Sequence, residues 1–267
     1  MDSKPHPIFK SGDTNNPSSY RKIIISPLLD KVYGIILENK ISIWLESEGN
    51  RAKGQAGFRR QHSKTDHLVT LRIIVEEFRN DKSNLFCCFV EFRKAFNTVS
   101  RNNLWNRLEE LKVPFELRAG AIRLYENFIA NFKTNEGWSK DNKCNIGVKQ
   151  GFPLSHTIFG FYIDKLEGCL EEAGYAGTIL VGIVIILLLY ADDNVLLARC
   201  SFILDNKLRI LKDFCSTMGM TVNIDKTKIM IIKFKKDTYT NFVYDNNNLE
   251  EVCSYKYLVI DIHHQLN

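Results

Sequence analysis

Leu187-Leu188-Leu189-Tyr190-Ala191-Asp192-Asp193-Asn194-Val195-Leu196-Leu197 is two apolar strands joined by a tight turn that carries adjacent carboxylates. Such a turn has two readings. Asp and Asn side chains bond to their own backbone and tolerate left-handed dihedrals, so the acids can serve the turn alone. A rigid hairpin can also project hard oxygen ligands toward Mg²⁺, an ion that binds substrate phosphates. Two such ions about 3.5 to 4 Å apart activate an attacking oxygen and stabilise a leaving one. One more carboxylate must then come from a neighbouring strand. The candidate is Glu91, which closes the apolar run Leu85-Phe86-Cys87-Cys88-Phe89-Val90 and precedes a helix start. Glu91 reads equally well as a strand-end surface charge.

The hairpin also decides the fold class. Residues 85–92, 194–198 and 228–234 read as strands. The apolar run 179–190 is shorter than the roughly 20 residues that cross a bilayer, and reads as a buried strand pair. Ser26 can cap and Pro27 can open a helix in which Leu28, Val32, Ile35 and Ile36 recur at helical spacing toward Trp44. Ser63 with Asp66 starts a second helix bearing Leu68, Leu71, Val75 and Phe78 on one face. Four further helical patterns follow. They are Leu104/Leu108/Leu111, Ile122/Tyr125/Ile129, Ile163/Leu166/Leu170 ending at Gly174, and Leu204/Leu208/Leu211/Cys215 ending at Gly219. Strands alternate with helices, yet the hairpin excludes a purely parallel doubly wound sheet. The expectation is an α+β fold, with a mixed or antiparallel sheet backed by helices.

Composition narrows the class further. A chain of 267 residues, 45% hydrophobic and 25% charged, with 6 prolines against 15 glycines, is neither disordered nor collagen-like. A formal charge of +5 permits a polyanionic partner without demanding one. Seven cysteines without a C-x-x-C pair read as reduced intracellular thiols, with no zinc site and no disulfide-linked partner. The first residues lack the apolar core of a signal peptide, and no membrane partner is expected.

Seven blocks, in order, resemble the reverse transcriptase domain of non-LTR (LINE-type) retrotransposons. Pro7-Ile8-Phe9-Lys10-Ser11-Gly12-Asp13 followed by Tyr20-Arg21-Lys22-Ile23 resembles P-I-x-K-x-G-D…Y-R-P-I, and Gln55-Ala56-Gly57-Phe58-Arg59 resembles Q-x-G-F-R. Residues 91–97 resemble F-V-D-F-x-K-A-F-D from its aspartate onward. Gly147-Val148-Lys149-Gln150-Gly151-Phe152-Pro153-Leu154-Ser155 resembles G-V-x-Q-G-x-P-L-S, and Tyr190-Ala191-Asp192-Asp193 is Y-A-D-D. Asn223-Ile224-Asp225-Lys226-Thr227-Lys228 resembles N-x-x-K-T-K, and Tyr255-Lys256-Tyr257-Leu258 the start of F-x-Y-L-G.

The resemblance implies a right-hand polymerase with fingers (1–84), a palm (85–235, with a returning fingers segment around 115–150) and a primer-contacting end (236–267), lacking the family's thumb. It implies RNA-directed DNA synthesis, in which a primer 3′ hydroxyl attacks the α-phosphate of a deoxynucleoside triphosphate. Two Mg²⁺ ions would be held by Glu91, Asp192, Asp193 and the Phe92 carbonyl. Lys10 and Arg21 match residues that grip the triphosphate, and Phe96 matches a steric gate against a ribose 2′ hydroxyl. Gln150 and Gly151 would lie beside nucleotide and template, and Lys226 beside the departing pyrophosphate. Arg59, in a basic cluster with Arg51, Lys53 and Arg60, suits the template backbone, and Tyr257 belongs to the segment that supports the DNA primer.

Four positions depart from the family without touching an expected metal ligand: Lys22 for proline, Asn97 for the second aspartate of its block, His156 for proline, and Val259 for glycine. The fifth is Glu91, where the family has aspartate. The carboxylate moves out by about 1.5 Å, one C–C bond, and a misplacement near 1 Å can cost on the order of 10²-fold in rate. A catalytically inactive nucleic-acid-binding remnant is therefore the alternative to an impaired polymerase. A metal-free interaction domain and an RNA-dependent RNA polymerase are the remaining readings, Phe96 arguing against the last.

Overall fold

In a computed structural model of the chain, the structure describes residues 4–9, 12–14, 16, 19–126, 128–130, 133–134, 137–138, 142–175, 177–180, 183–234 and 241–264. It contains two compact units, one formed by residues 1–50 with 96–162, the other by 51–95 with 163–267. The division by resemblance groups residues 51–84 with the amino-terminal part, whereas by packing they accompany the sheet.

The second unit is built on a five-stranded sheet in the order Leu187–Tyr190, Asp193–Ala198, Leu85–Glu91, Lys228–Ile232, Glu250–Glu251. Every pairing is antiparallel except the last. The hairpin at Asp192 and Asp193 is therefore present, and the sheet is mixed. Leu85–Glu91 lies at its centre, and its first six residues are buried, which is why the sequence reads there as an unbroken apolar run. Side chains alternate across the sheet. Cys87, Phe89, Val195, Leu197, Met230 and Ile232 join Leu71, Ile74, Val75 and Phe78 of helix Lys64–Asn80 in one core. The alternate set faces the other way, where helix Ser201–Met218 packs on the sheet.

Helix Lys64–Asn80 starts, and helix Ser201–Met218 stops, as the sequence directs. Ser63 and Asp66 form a full capping box, Asp66 accepting from the Ser63 amide at 2.7 Å. Helix Ser201–Met218 ends at Gly219, whose φ of 69° is left-handed. Its Lys207 is fully buried and donates to the carbonyls of Ile186 at 3.0 Å and Leu197 at 2.7 Å. Burial pushes the ammonium down to about 8. Among the described residues, no helix is long and apolar enough to cross a membrane.

The first unit carries the hairpin of Lys4–Phe9 with Tyr20–Ile25 and the helices Leu28–Ser47, Arg101–Glu110 and Phe115–Glu126, together with the start of Pro153–Glu172. Helix Leu28–Ser47 forms where expected but differs in two respects. Pro27, not Ser26, is its N-cap. The buried face is Gly34, Leu37, Ile41, Ser42 and Leu45, while Leu28, Val32, Ile35 and Ile36 are exposed. Two apolar stripes run along this helix, and close approach chooses between them. A Cβ on Gly120 of helix Phe115–Glu126 would stand 2.6 Å from the Tyr33 hydroxyl and 3.1 Å from Leu37, so the stripe containing Leu37 seats against a position that has no side chain. Ile129, read as helical, lies instead in a two-residue strand.

The hairpin Ser254–Tyr257/Ile260–His263 turns through Leu258 and Val259, at φ 48° and 85°. Two-residue turns with both φ positive suit Asn, Asp and Gly, as at Asp245-Asn246 in the neighbouring hairpin, φ 46° and 62°. A β-branched residue in that region is strained by roughly 1–3 kcal/mol. Val259→Gly is expected to stabilise the chain by about 1 kcal/mol, after the entropy that glycine itself loses on folding. The thermal midpoint should rise by about 2–4 °C. A calorimetric scan showing no rise would mean that the turn carries no strain.

Candidate active site

Strand pairing brings the distant acids together. Asp193 lies directly across the ladder from Glu91, and Tyr190 across from Asp193. Directly opposed residues have Cβ atoms about 4.5–5.5 Å apart on the same face, so two carboxylates share one end of the sheet, with Asp192 next in the turn. Ala191 makes that turn at φ 59°, a single positive φ at the first central position, as a II′ hairpin requires. For a residue other than glycine this is stored strain.

The segment 221–227 crosses the open end of strand Leu85–Glu91. Asn223 donates its amide to the Glu91 carbonyl at 2.7 Å, and Arg93 donates to Thr221 at 2.8 Å, bracketing an antiparallel bridge between Phe92 and Val222. The Glu91 amide donates to the Thr227 hydroxyl at 3.2 Å. Lys226 is thereby set beside the acids, and its ammonium donates to the Glu91 carboxylate in an ion pair.

The hairpin is held from its free edge. Leu189 donates to the Gly54 carbonyl at 2.8 Å and accepts from the Ala56 amide at 3.0 Å, so residues 54–56 run along strand Leu187–Tyr190 as an added strand. Side chains would prevent this approach. A Cβ on Gly54 would stand 2.2 Å from the Leu187 carbonyl oxygen, and one on Gly57 2.4 Å from the Ala191 nitrogen.

Two buried acids near the end of helix Pro153–Glu172 lock the segment in place, and sequence reading missed both. Asp164 accepts from Arg51 Nε at 2.6 Å and Gln55 Nε2 at 3.0 Å. Glu167 accepts from the amides of Lys53 at 2.6 Å and Gly54 at 3.1 Å. A carboxylate pair spaced i, i+3 inside an apolar helix was the available signal. His67 completes the lock, with Nε2 3.0 Å from the Gly54 carbonyl and Nδ1 3.3 Å from the Tyr257 hydroxyl. Burial pushes His67 down to about 4. The imidazole is neutral at pH 7, and its partners assign the proton to Nε2.

The remaining sequence-derived residues are placed as follows. Lys10 lies outside the described residues, and Arg21 sits in strand Tyr20–Ile25 opposite Ile8. Gln150 accepts the Ile24 amide on its carbonyl at 2.8 Å. Gly151 has φ +88°, and a Cβ there would meet Ile23 at 2.9 Å. Phe96 is half-buried. Arg59 donates to the carbonyls of Ala52 and Gln55, each at 3.0 Å, and so staples its own loop. Arg51, expected in a basic cluster at the surface, is instead inside the ion pair with Asp164, both side chains about 1–2% exposed. Tyr257, expected at the primer, is 2% exposed and packs in the core against Phe89. Tyr255 stacks on Phe89 at 4.3 Å.

The donor set suits a hard divalent cation, since Glu91, Asp192 and Asp193 all offer carboxylate oxygens. The Asp193 carboxyl is pushed up to about 6, first by desolvation and then by the charges of Asp192 and Glu91. A cation among them would relieve that repulsion. As they stand, however, no group of three His, Cys, Asp or Glu side chains among the described residues is arranged to hold a metal ion, and Lys226 occupies the Glu91 carboxylate.

A family profile described as reverse transcriptase (RNA-dependent DNA polymerase) matches residues 8–262. The Pol polyprotein of the type-1 retrotransposable element R2 from Popillia japonica is 26% identical over 82% of this chain and 30% of its own length. Its counterpart from Nasonia vitripennis is 24% identical over 94% of the chain and 25% of its own length. The RNA-directed DNA polymerase of the mobile element jockey from Drosophila funebris is 24% identical over 90% of the chain and 26% of its own length. The chain thus spans about a quarter to a third of these relatives. Among solved structures, apo telomerase from Candida tropicalis superposes over 98% of the chain and 47% of that protein, with a TM-score of 0.64 at 13% identity. Telomerase from Candida albicans bound to a fragment of telomeric RNA gives 0.60 at 17% identity, over 98% of the chain and 44% of that protein. At these identities the likeness speaks for the fold alone, and it agrees with the expected palm-and-fingers architecture.

Two predictions follow from this geometry. Gly57→Ala should cost about 1–3 kcal/mol, because its Cβ must push on the hairpin backbone. Gly168→Ala, in helix Pro153–Glu172 with nothing within 4 Å of the added Cβ, should gain about 1 kcal/mol of helix propensity. Equal effects of the two in denaturant unfolding would refute the close approach at Gly57. The second concerns pH. Asp193 binds its proton more tightly folded than unfolded, so its contribution to stability falls as pH rises from 3.8 to about 6. Asp193→Asn should therefore be more stable than the parent above pH 6, with the difference closing below pH 4. Parallel stability curves across that range would show that the acids do not repel one another.

Proposed function

We propose a function on one premise: the chain belongs to the reverse transcriptase family. The reading is that it forms the fingers and palm of an RNA-directed DNA polymerase, extending a DNA primer on an RNA template with deoxynucleoside triphosphates. The observation that carries it is the ladder pairing of Glu91 with Asp193, which gathers acids from separate segments at one end of a buried sheet with a lysine beside them.

The step is a phosphoryl transfer. The primer 3′ oxygen forms a bond to the α-phosphorus, the bond from that phosphorus to the bridging oxygen breaks, and pyrophosphate leaves. Catalysis of this kind is mostly positioning and charge stabilisation. Glu91, Asp192, Asp193 and the Phe92 carbonyl would hold divalent metal, which when bound supplies charge neutralisation and lowers the pKa of the attacking hydroxyl. Lys226, which pairs with Glu91, would neutralise the departing pyrophosphate or give it a proton. Lys10 and Arg21 would bind the triphosphate, Gln150 and Gly151 the nucleotide and template. Phe96 would occupy the space of a ribose 2′ hydroxyl. Of the basic loop, Arg60 is exposed and joins Arg59 as the candidate contact to the template backbone.

One observation favours a second reading, a nucleic-acid-binding form with little catalysis. One oxygen of the Glu91 carboxylate is engaged by Lys226, which lowers the charge that the carboxylate offers a metal. Primer extension on an RNA template with Mg²⁺ separates the two readings. Glu91→Asp is expected to raise the extension rate by about 10- to 100-fold, the scale of a 1 Å repositioning, and Asp192→Asn to abolish it. If Glu91→Asp extends no faster than an inactive parent, the second reading stands.

A further inference from the structure

The ring of Phe96 is held in place from within its own unit. Phe159, fully buried on helix Pro153–Glu172, stacks on it with centroids 4.4 Å apart and planes 19° from parallel. His156, one turn earlier on the same helix face, meets it edge-on at 5.8 Å and 71°. The backbone beneath is fixed as well. Val148 donates its amide to the Phe96 carbonyl at 2.8 Å, and Gly147 donates to the Val99 carbonyl at 2.8 Å. With the Cα pinned, the ring's remaining freedom is rotation about its side-chain bonds, and two aromatic neighbours limit that rotation.

This limits selectivity. A steric barrier excludes a bulkier ligand only as far as it costs energy to push the barrier aside. A half-buried phenylalanine with open space behind it would simply turn away. Here retreat means unstacking from Phe159 and losing the His156 edge. From these contacts we propose that Phe159 and His156 are specificity-determining positioning residues: they brace Phe96 against the sugar, and so set how strongly deoxynucleotides are chosen over ribonucleotides. The inference rests on the reading of Phe96 as the gate. It also gives His156 a purpose, since the proline it replaces in the family pattern has no aromatic edge.

The test is equilibrium binding of dATP and of ATP, each displacing a fluorescent dATP analogue from the full chain in Mg²⁺ with a dideoxy-terminated DNA primer on a uridine-bearing RNA template, for the parent and three variants. Binding does not require turnover. Phe159→Leu keeps the core filled while removing the stacked plane, and should lower the dATP-to-ATP affinity ratio by about 3- to 10-fold, the worth of one aromatic pair. His156→Ala should lower it by a smaller factor, and Phe96→Ala should collapse it. The ratio is the readout, because a merely structural role lowers both affinities together. If Phe96→Ala collapses the ratio and Phe159→Leu leaves it unchanged, the bracing is refuted while the gate stands. If Phe96→Ala leaves the ratio unchanged, or the parent binds neither nucleotide, the gate reading fails and takes this inference with it. Should Phe159→Leu not fold, the His156→Ala ratio decides alone, and no change there overturns the proposal.

Discussion

The antiparallel register that sets Asp193 opposite Glu91 is the constraint on which the candidate site depends. Side chains in a strand alternate faces, so a slip of one residue would turn the acids to the opposite side of the sheet. The slip is opposed by burial on both faces of Leu85–Glu91, where six consecutive residues have no exposed alternative. The other neighbour of that strand is fixed by the same ladder. Lys228 pairs with Phe89, which delivers the 223–227 turn to the end where Glu91 emerges. Lys226 thus reaches an acid 135 positions away in the chain through pairing alone.

A sheet edge next to a working site must be covered, because an open row of amides and carbonyls is mobile and adhesive. Here the cover is a loop whose glycines let backbone meet backbone, and the loop is fixed by carboxylates inside the protein. Buried charges are costly unless fully partnered. Asp164 and Glu167 have partners in Arg51, Gln55 and two loop amides. Arg51 Nη1 and Nη2 are buried without a hydrogen-bond partner, so the network is held through the carboxylates, and releasing any one of their partners strands another charge in a medium of low dielectric. Rigidity at this place explains how Ala191 can keep a positive φ: a strained residue persists when its surroundings over-determine it.

The sequence revealed the elements that local chemistry dictates and was silent where packing chooses. The capping box at Ser63, the Gly219 stop, the hairpin and the buried central strand are all legible, because each follows from a few adjacent residues. The buried face of helix Leu28–Ser47 is not. Its two apolar stripes look alike in sequence, and the partners that meet the buried one, Gly120 against Leu37 and Phe152 against Gly34, lie some eighty and more residues on. Arg51 and Tyr257 show the same limit at the site. A basic residue near other basic residues reads as a surface patch until an acid on a distant helix draws it inward. A tyrosine in a hairpin looks available until His67 takes its hydroxyl.

Glutamate at position 91 is constrained from several sides. Its backbone is held on both sides, by Asn223 at the carbonyl and Thr227 at the amide, so the main chain cannot withdraw to compensate for an extra methylene. The carboxylate must therefore extend further from the sheet than an aspartate would, and the cation in that direction is Lys226. The longer side chain thus favours an internal ion pair over a shared external cation. A divalent cation at this site would compete with Lys226 for one carboxylate, in a geometry set by the backbone as well as by which acids are present.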